Sequence, residues 1–280
     1  MSYLEPIVGR YVHIDLDGRT YRTAFEEAGE GIPLVCIHTA GGDLRMYRHL
    51  LNDPEITSRF RVIAFDLPRH GRSLPPDGTY DDPYQITRTF LLDFIDAFCD
   101  ALSLERPALL GTSMGGYIML SVAVYRSERY RALIACQPRA FADWSGMGFA
   151  LDNPTMNIQS FTTVIKSLIS PESPVDRSRE IEWMYATGGP GVLAGDLNGA
   201  TDCDVRDTMA QIDPERTGLV VIGGDWDLSC LPEHTKELSD AIPGLPVHRM
   251  PNAGHFPPAE NPEAFREVLL PILDQIEKRP

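Results

Sequence analysis

Residues 111–115 read Gly-Thr-Ser-Met-Gly, and this is the one G-x-S-x-G pattern in the 280-residue chain. An apolar run that predicts a strand precedes the segment, and a predicted helix follows it. A sharp turn between a strand and a helix strains the backbone of its serine and exposes the hydroxyl above the sheet, where it can attack an electrophile. A simpler interpretation is an ordinary glycine-rich turn in which Ser113 caps the helix. The flanking pattern favours a nucleophilic Ser113.

The elements that would position this serine follow from the hydrophobic pattern. Short apolar runs alternate with amphipathic stretches, which is typical of an α/β fold with a parallel sheet. Two alternating runs around Asp17 and Gly18, at 12–16 and 20–26, predict an opening hairpin. Further strands are predicted at 33–38, 61–65, 107–110, 131–136, 218–222 and 246–250. Helices are predicted at 86–102, 114–125, 158–169 and 176–186, after residue 232, and at 262–277.

No strand-like run occurs between about residue 137 and residue 212. We therefore predict one α/β core, formed by residues 1–137 and 213–280, and a helical insertion at 138–212. The insertion is rich in large apolar residues, each of which could line a pocket or simply fill the seam with the sheet. These residues are Phe141, Trp144, Met147, Phe149, Phe161, Trp183, Met184 and Tyr185.

Composition narrows the classes of partner. Apolar residues make up 43% and charged residues 23% of the chain, a mixture typical of globular proteins. The formal net charge of −15 argues against nucleic acid and anionic membranes as partners, because both require a basic surface. Five scattered cysteines without metal-ligand spacing predict free thiols in a reducing compartment. With no secretory signal pattern and no apolar run of membrane-spanning length, we expect a cytoplasmic protein.

Five motifs, in this order, resemble those of the α/β-hydrolase family over nearly the whole chain. They begin at residues 38 (His-Thr-Ala-Gly-Gly), 66 (Asp-Leu-Pro-Arg-His-Gly-Arg-Ser), 111 (the serine turn), 224 (Gly-Asp-Trp-Asp) and 254 (Gly-His-Phe). The resemblance implies an eight-stranded, mostly parallel sheet flanked by helices. It also implies that the segment 138–212 is a helical lid inserted after the sixth strand.

The resemblance also implies where the base lies. In this family the chain order is serine, acid, histidine, so the base should follow the acid loop, where three histidines occur. His234 begins a predicted helix and His248 lies inside a predicted strand. His255 follows a glycine just past the end of that strand, where a side chain can reach back over the sheet. We therefore predict that His255 accepts the proton of Ser113.

A carboxylate must orient the imidazole and stabilise its cation. Asp227 lies at the family's G-x-x-D spacing after a late strand, and we predict it as this acid. Asp225, two residues earlier, could instead cap or bend the loop. Asp143, which follows the sixth strand, is the other alternative, because some members of the family place the acid there.

Hydrolysis through a tetrahedral intermediate requires two N–H donors aimed at the oxyanion. One is the backbone N–H of Met114, the residue after the serine, and by resemblance the other is that of Ala40. Two positions depart from the family pattern: Thr39 and Arg69 stand where glycines are usual. Thr39 bears on the geometry of the oxyanion turn, whereas Arg69 lies farther from the chemistry.

These residues lead to one predicted function and several alternatives. A serine at 113 excludes the branch of the family with an aspartate nucleophile, and no phosphate loop, dinucleotide fingerprint or metal-ligand spacing occurs, so we expect neither cofactor nor metal. The prediction is a serine hydrolase that cleaves a small, largely neutral or hydrophobic carboxylic ester or lactone through an acyl-enzyme. The same triad would serve a C–C bond hydrolase, an acyltransferase or perhydrolase, or an amidase. A small-molecule receptor that retains the triad is the alternative from another class. We expect a small-molecule partner, neither nucleic acid nor membrane, and leave a homodimer open.

Overall fold

A computed structural model describes residues 2–144, 154–189 and 191–280, and for residues 154–160 it describes the backbone alone. Eight strands form one sheet in the order β1-β2-β4-β3-β5-β6-β7-β8. The strands are β1 Val8–Leu16, β2 Arg19–Ala28, β3 Ile32–Ile37, β4 Phe60–Phe65, β5 Ala108–Thr112, β6 Ala132–Cys136, β7 Leu219–Gly224 and β8 Val247–Met250. The pairs β1–β2 and β2–β4 are antiparallel, and all other pairs are parallel. The predicted α/β fold with an eight-stranded, mostly parallel sheet is thereby confirmed.

Helices cover both faces of the sheet. In chain order they are α1 Arg48–Leu51, α2 Pro54–Thr57, α3 Arg88–Ala101, α4 Met114–Tyr125, α5 Pro154–Leu168, α6 Val175–Ala186, α7 Val192–Asp202, α8 Pro214–Thr217, α9 Pro232–Ala241, α10 Pro257–Glu260 and α11 Pro262–Glu277. In the described part of the chain, no helix is both long and apolar enough to cross a membrane.

Local sequence explains the opening hairpin. Asp17 and Gly18 join β1 to β2, and both have positive φ, +52° and +72°. A two-residue turn with two positive φ angles matches the right-handed twist of the flanking strands, and Asp-Gly is a favoured pair for it. Strand β1 of the hairpin lies at one edge of the sheet and β8 at the other, with the parallel strands β3, β5, β6 and β7 between them.

The central strands are buried on both faces. Every residue of β5 and of β6 is buried, as expected for parallel strands covered by helices on either side. Helix α4 lies directly behind them and is itself buried nearly all around, from Met114 to Ala123. The end of β5 is therefore a rigid platform for the residue that connects it to α4.

Three described α-helices, α5 to α7, lie within the segment 138–212 that follows β6. The predicted helices at 158–169 and 176–186 correspond to α5 and α6, but α7 was not predicted. Its sequence, with Gly195 and Gly199 and two aspartates, has low helix propensity. Packing against α3 and α4 stabilises it instead. The division into a core and a lid at 138–212 stays a prediction.

Candidate active site

Ser113 occupies a strained turn between β5 and α4. Its backbone angles are φ +56° and ψ −114°, a conformation costly for any residue with a side chain. Two glycines make the crossing of strand and helix feasible. A Cβ at Gly115 would collide with the carbonyl oxygen of Ile37, and one at Gly116 would collide with that of Cys136. The turn therefore has the geometry that the G-x-S-x-G pattern indicates.

The structure brings Ser113, His255 and Asp227 together in one line of hydrogen bonds. The Ser113 hydroxyl lies 2.8 Å from Nε2 of His255, and Nδ1 of His255 lies 2.7 Å from Oδ2 of Asp227. Asp227 is 1% exposed, and its other oxygen accepts the N–H of Ser229 at 2.7 Å. A carboxylate on Nδ1 places the imidazole proton there, which leaves Nε2 as an acceptor for the serine proton.

The other residues considered at the sequence level lie elsewhere. Asp225 pairs with Arg249 in a partly exposed ion pair. Nδ1 of His234 accepts the N–H of Leu231 at the start of α9, and His248 lies within β8. Asp143 lies in the described segment after β6, but the carboxylate on His255 is that of Asp227.

Glu260 holds the His255 loop, and sequence reasoning missed it. One oxygen of this fully buried carboxylate accepts the N–H of Gly254 at 2.8 Å and that of Phe256 at 2.7 Å. The N–H of His255 itself donates to the carbonyl of Leu168 at the end of α5, at 2.9 Å. Burial raises the pKa of Glu260, although four hydrogen bonds to the carboxylate oppose that shift. Three consecutive N–H groups of the loop are thus fixed.

Gln137 is a second supporting residue that the sequence did not reveal. It directly follows β6 with φ +53° and is completely buried. Its Oε1 accepts the N–H of Gly224 at 3.1 Å, and its Nε2 donates to the carbonyl of Gly254. One side chain therefore links the ends of β6 and β7 to the loop that carries His255.

The two predicted oxyanion donors are the backbone N–H groups of Ala40 and Met114. Met114 is the first residue of α4, so its N–H has no acceptor within the helix. Within the described residues, neither this N–H nor that of Ala40 makes a hydrogen bond to another protein group. Ala40 and Ser113 line one pocket. The arrangement can receive an oxygen that carries negative charge.

The turn that carries Ala40 accommodates Thr39 without left-handed backbone. Positive φ angles in this turn are confined to Gly41, at +68°, so position 39 does not require glycine. The carbonyl of Thr39 accepts the N–H of Gly42 at 3.1 Å and lies 2.8 Å from Nδ1 of His38. Burial, assisted by the neighbouring His70, lowers the pKa of His38 to about 4, so this imidazole is neutral at pH 7.

Arg69, the second departure from the family pattern, does adopt a left-handed conformation. Its φ is +72°, where glycine carries the smallest steric cost. The guanidinium donates to the carbonyl of Thr79 and lies 5.5 Å from the ring centre of Tyr84. Side-chain contacts thus accompany a backbone conformation that is unfavourable for arginine.

A largely apolar cavity of about 190 Å³ lies over Ser113. Its described lining consists of Thr39, Ala40, Ser113, Trp144, Phe161, Val164, Ile165, Leu168, Tyr185, Leu193, Leu197, Leu228, Ser229 and His255. No Lys, Arg, Asp or Glu occurs among these lining residues. Residues 145–160, most of which the structure does not describe, contain no Lys or Arg in the sequence.

The large apolar residues of the segment 138–212 divide between several environments. Trp144, Phe161 and Tyr185 line the cavity. Met184 is buried in the core and Trp183 is exposed. Phe141 lies under the guanidinium of Arg206, whereas Met147 and Phe149 lie outside the described residues.

Across the ranges that the structure describes, no three His, Cys, Asp or Glu side chains are arranged to hold a metal ion.

Comparisons with known proteins agree with this architecture. The model of the alpha/beta hydrolase family matches residues 34–268. A dihydrolipoyllysine-residue acetyltransferase component of an acetoin cleaving system from Pseudomonas putida is 38% identical over 122 residues, 42% of this chain and 30% of that protein. The match thus spans less than a third of that relative's length.

Two further proteins match over nearly their full length. A 2-hydroxy-6-oxo-6-phenylhexa-2,4-dienoate hydrolase from Burkholderia cepacia is 23% identical over 292 aligned positions, covering 96% of this chain and 97% of that protein. The solved structure of a thermophilic esterase from Thermogutta terrifontis superposes with a TM-score of 0.82 at 23% identity, covering 96% of this chain and 99% of that one. At such identity the structural likeness shows the fold alone.

Proposed function

The chain belongs to the α/β-hydrolase family, and we propose that it is a serine hydrolase that cleaves a small, neutral carboxylic ester or lactone and needs no cofactor. The observation that carries this proposal is the pair of short hydrogen bonds that His255 makes, one to Ser113 and one to Asp227. A histidine held between a serine hydroxyl and a buried carboxylate is the arrangement that activates serine for acyl transfer.

The proposed reaction has two stages. Ser113 Oγ attacks the carbonyl carbon while Nε2 of His255 takes the serine proton, and the N–H groups of Ala40 and Met114 bind the resulting oxyanion. His255 then donates that proton to the departing alkoxide, which leaves as an alcohol. A water molecule, deprotonated by His255, then attacks the acyl carbon. The protonated His255 donates that proton to Ser113 Oγ as the C–O bond to serine breaks, which releases the acid and restores Ser113.

The lining of the cavity supports a neutral substrate. Apolar side chains bind hydrocarbon by excluding water, whereas a buried carboxylate needs a cation or several donors beside it. The described lining offers no cation, and neither do residues 145–160 in the sequence. We therefore favour an ester or lactone over an anionic dienoate such as the one named for the Burkholderia relative. The nearly full-length match to that protein makes C–C bond hydrolysis the second candidate function.

Active-site labelling followed by a turnover screen tests the proposal. We expect a fluorophosphonate to label Ser113, as located by mass spectrometry, and to leave Ser113→Ala unlabelled. The screen contains p-nitrophenyl esters of increasing acyl length, lactones, and matched pairs of a diester with its acidic half-ester. Preference for the diester supports a neutral substrate. Preference for the half-ester, or for a vinylogous 1,5-diketo acid, would favour the C–C bond hydrolase.

The screen also separates an enzyme from a receptor that retains the triad. Ordinary enzymes turn over at about 1 per second or faster. Labelling of Ser113 without measurable multiple turnover on any member of the panel would favour the receptor.

Charge and cysteine chemistry support the remaining features of the proposal. With a net charge of −15, we propose a small-molecule substrate rather than nucleic acid or an anionic membrane surface. All five cysteines are buried free thiols, which suits a reducing compartment such as the cytoplasm.

We propose that helices α5, α6 and α7 cover the cavity as a lid that excludes water during acyl transfer.

A further inference from the structure

The peptide unit between Ala40 and Gly41 is held at both ends by side chains from the insertion. The Tyr185 hydroxyl, on α6, donates to the carbonyl of Ala40 at 2.9 Å. The N–H of Gly41 donates to Oδ2 of Asp196, on α7, at 2.7 Å. Two helices that lie between β6 and β7 thus fix the plane of one peptide in the turn that follows β3.

Asp196 is fully buried and has two further partners. Its Oδ2 lies 2.7 Å from Nε2 of His70, and its Oδ1 accepts the Tyr84 hydroxyl at 3.1 Å. Burial lowers the pKa of His70, but the charge and hydrogen bond of Asp196, together with the Pro68 carbonyl and the charge of Asp66, raise it more, so the net shift is upward. Because a buried carboxylate without partners is strongly destabilising, these three donors set where the Asp196 carboxylate lies.

Small residues on α7 allow Asp196 to contact the turn after β3. A Cβ at Gly195 would collide with the backbone and ring of Tyr84, and one at Gly199 would collide with the side chain of Ile86. Gly195 and Gly199 are four residues apart and share a helix face. The helix therefore approaches the segment at 84–86 closely enough for Asp196, next to Gly195, to contact the turn after β3.

The preceding peptide is also fixed, from the core. The carbonyl of Thr39 accepts from Gly42 and from His38. In a trans peptide the N–H points opposite to the carbonyl, so these two bonds direct the N–H of Ala40 away from them. Fixing the Ala40–Gly41 peptide as well leaves Ala40 little rotation about either of its backbone bonds.

We propose that Asp196 and Tyr185 are positioning residues that hold the Ala40 N–H in the direction required to bind the oxyanion. This inference rests on the proposed serine-hydrolase function. It makes helices α6 and α7 a structural part of the oxyanion site in addition to any role as a cover. Oxyanion stabilisation depends on donors that are already in place before charge develops, so a loosened turn should reduce the rate more than it reduces substrate binding.

Two substitutions in the full chain test the proposal: Asp196→Asn, which removes the charge, and Tyr185→Phe, which removes one hydroxyl and keeps the ring. For each we expect kcat for a p-nitrophenyl ester to fall by about 10- to 100-fold, with KM changed by less than about threefold. The matched control is Asp202→Asn. Asp202 lies on the same helix, and its carboxylate accepts the N–H of Arg88 at 2.7 Å, a residue outside the turn after β3. Asp202→Asn should therefore leave kcat within about twofold of wild type.

Inhibitor binding distinguishes positioning from general loosening of the fold. A trifluoromethyl ketone forms a hemiketal oxyanion on Ser113, whereas the matching alcohol binds without charge. The affinity for the ketone should fall in parallel with kcat in both variants, and the affinity for the alcohol should stay nearly constant. Equal losses for ketone and alcohol, or unchanged kcat in a folded Tyr185→Phe protein, would overturn the proposal. If Asp196→Asn does not fold, Tyr185→Phe decides the question.

Amide hydrogen exchange tests the same contact without any substrate. The exchange rate of the Gly41 N–H should rise at least about tenfold in Asp196→Asn, because its buried acceptor is weakened. An unchanged rate would contradict the proposed role of Asp196. If the wild-type protein neither turns over esters nor reacts with a fluorophosphonate, the proposed function fails. The Gly41 exchange rate then still shows whether Asp196 holds the turn.

Discussion

Nε2 of His255 lies 2.8 Å from the hydroxyl of Ser113, although 142 residues separate them in the chain. Each is fixed by its own backbone. Ser113 is held in the strained turn between β5 and α4, and His255 is held by hydrogen bonds to three consecutive N–H groups of its loop. The alignment of the pair is thus a consequence of two rigid loops, one after β5 and one after β8, at the carboxyl ends of parallel strands of one sheet.

Substitution of Ser113 by alanine removes the proposed nucleophile and almost no packing. Ester hydrolysis should fall by at least about a thousandfold, because residual catalysis can come only from the oxyanion donors and binding. Circular dichroism and the thermal midpoint should match those of wild type. A folded Ser113→Ala protein with undiminished turnover would end the serine-hydrolase proposal.

The two carboxylates of the loop after β7 should differ sharply in importance. Asp227→Asn keeps the shape of the side chain but takes the charge from beside Nδ1 of His255, and kcat should fall by about 10³-fold or more. Asp225→Asn breaks a partly exposed pair with Arg249 and should change kcat by less than about threefold. Steady-state kinetics on both variants checks the ranking, and the reverse order would assign the role to Asp225.

Local patterns in the sequence predicted the turns and helices that position this site. The turn at Asp17 and Gly18, the glycines around Ser113 and the helix that begins at Pro262 all depend on residues within a few positions of one another. Their positions could be predicted because each pattern has a local physical cause.

The supporting residues could not be found in that way. Gln137 and Asp196 bind backbone N–H groups that are distant in sequence, at the end of β7 and in the turn after β3, and Glu260 binds those of the loop just before its own helix. A lone glutamine, glutamate or aspartate carries no local signature of such a partner. Helix α7 was missed for a related reason, since its glycines disfavour a helix locally and are needed for close packing.

Glu260 should be more important than a lone glutamate two residues before a predicted helix would suggest, because its carboxylate is fully buried. In Glu260→Gln an amide NH₂ replaces one carboxylate oxygen. This NH₂ would face N–H or O–H groups whose hydrogen bonds the oxygen accepts in the wild-type protein. We expect a loss of about 2 kcal/mol or more in the free energy of unfolding, together with a lower kcat. Glu263→Gln, on the exposed first turn of α11, is the matched control and should be nearly neutral. Urea unfolding of both variants makes the comparison, and equal stabilities would contradict the role of Glu260.

Gly115 should tolerate no side chain, for steric reasons alone. Its backbone is helical, but an added Cβ would collide with the carbonyl of Ile37. Gly115→Ala should therefore destabilise the protein by about 2 kcal/mol or more, or displace the serine turn and abolish fluorophosphonate labelling. Gly244→Ala is the control, because that position has φ +78° but open space around it, and about 1 kcal/mol is expected. A smaller loss at 115 than at 244 would contradict the steric argument.

Asp66, at the end of β4, should make stability fall as the pH rises through weakly acidic values. Its carboxylate is 1% exposed and accepts the N–H groups of Leu44 at 2.9 Å and Arg72 at 2.8 Å. Burial outweighs these bonds and raises its pKa from 3.8 to about 6. Because the folded state binds this proton more tightly than the unfolded state, ionisation of Asp66 favours unfolding between about pH 4 and pH 6.

The sign and size of this effect can be measured by difference. A shift of about two pKa units corresponds to at most about 3 kcal/mol. The free energy of unfolding of wild type, minus that of Asp66→Asn, should therefore fall by up to this amount as the pH rises from 4 to 7, and should then level off. Subtraction removes the titration of buried groups that do not interact with Asp66, such as Glu260, whereas His70 is coupled to Asp66 by charge. Urea unfolding at several pH values gives the difference, with the exposed Asp240→Asn as a control that should vary far less. A difference that stays flat, or rises with pH, would show that Asp66 is not held in its protonated form by burial.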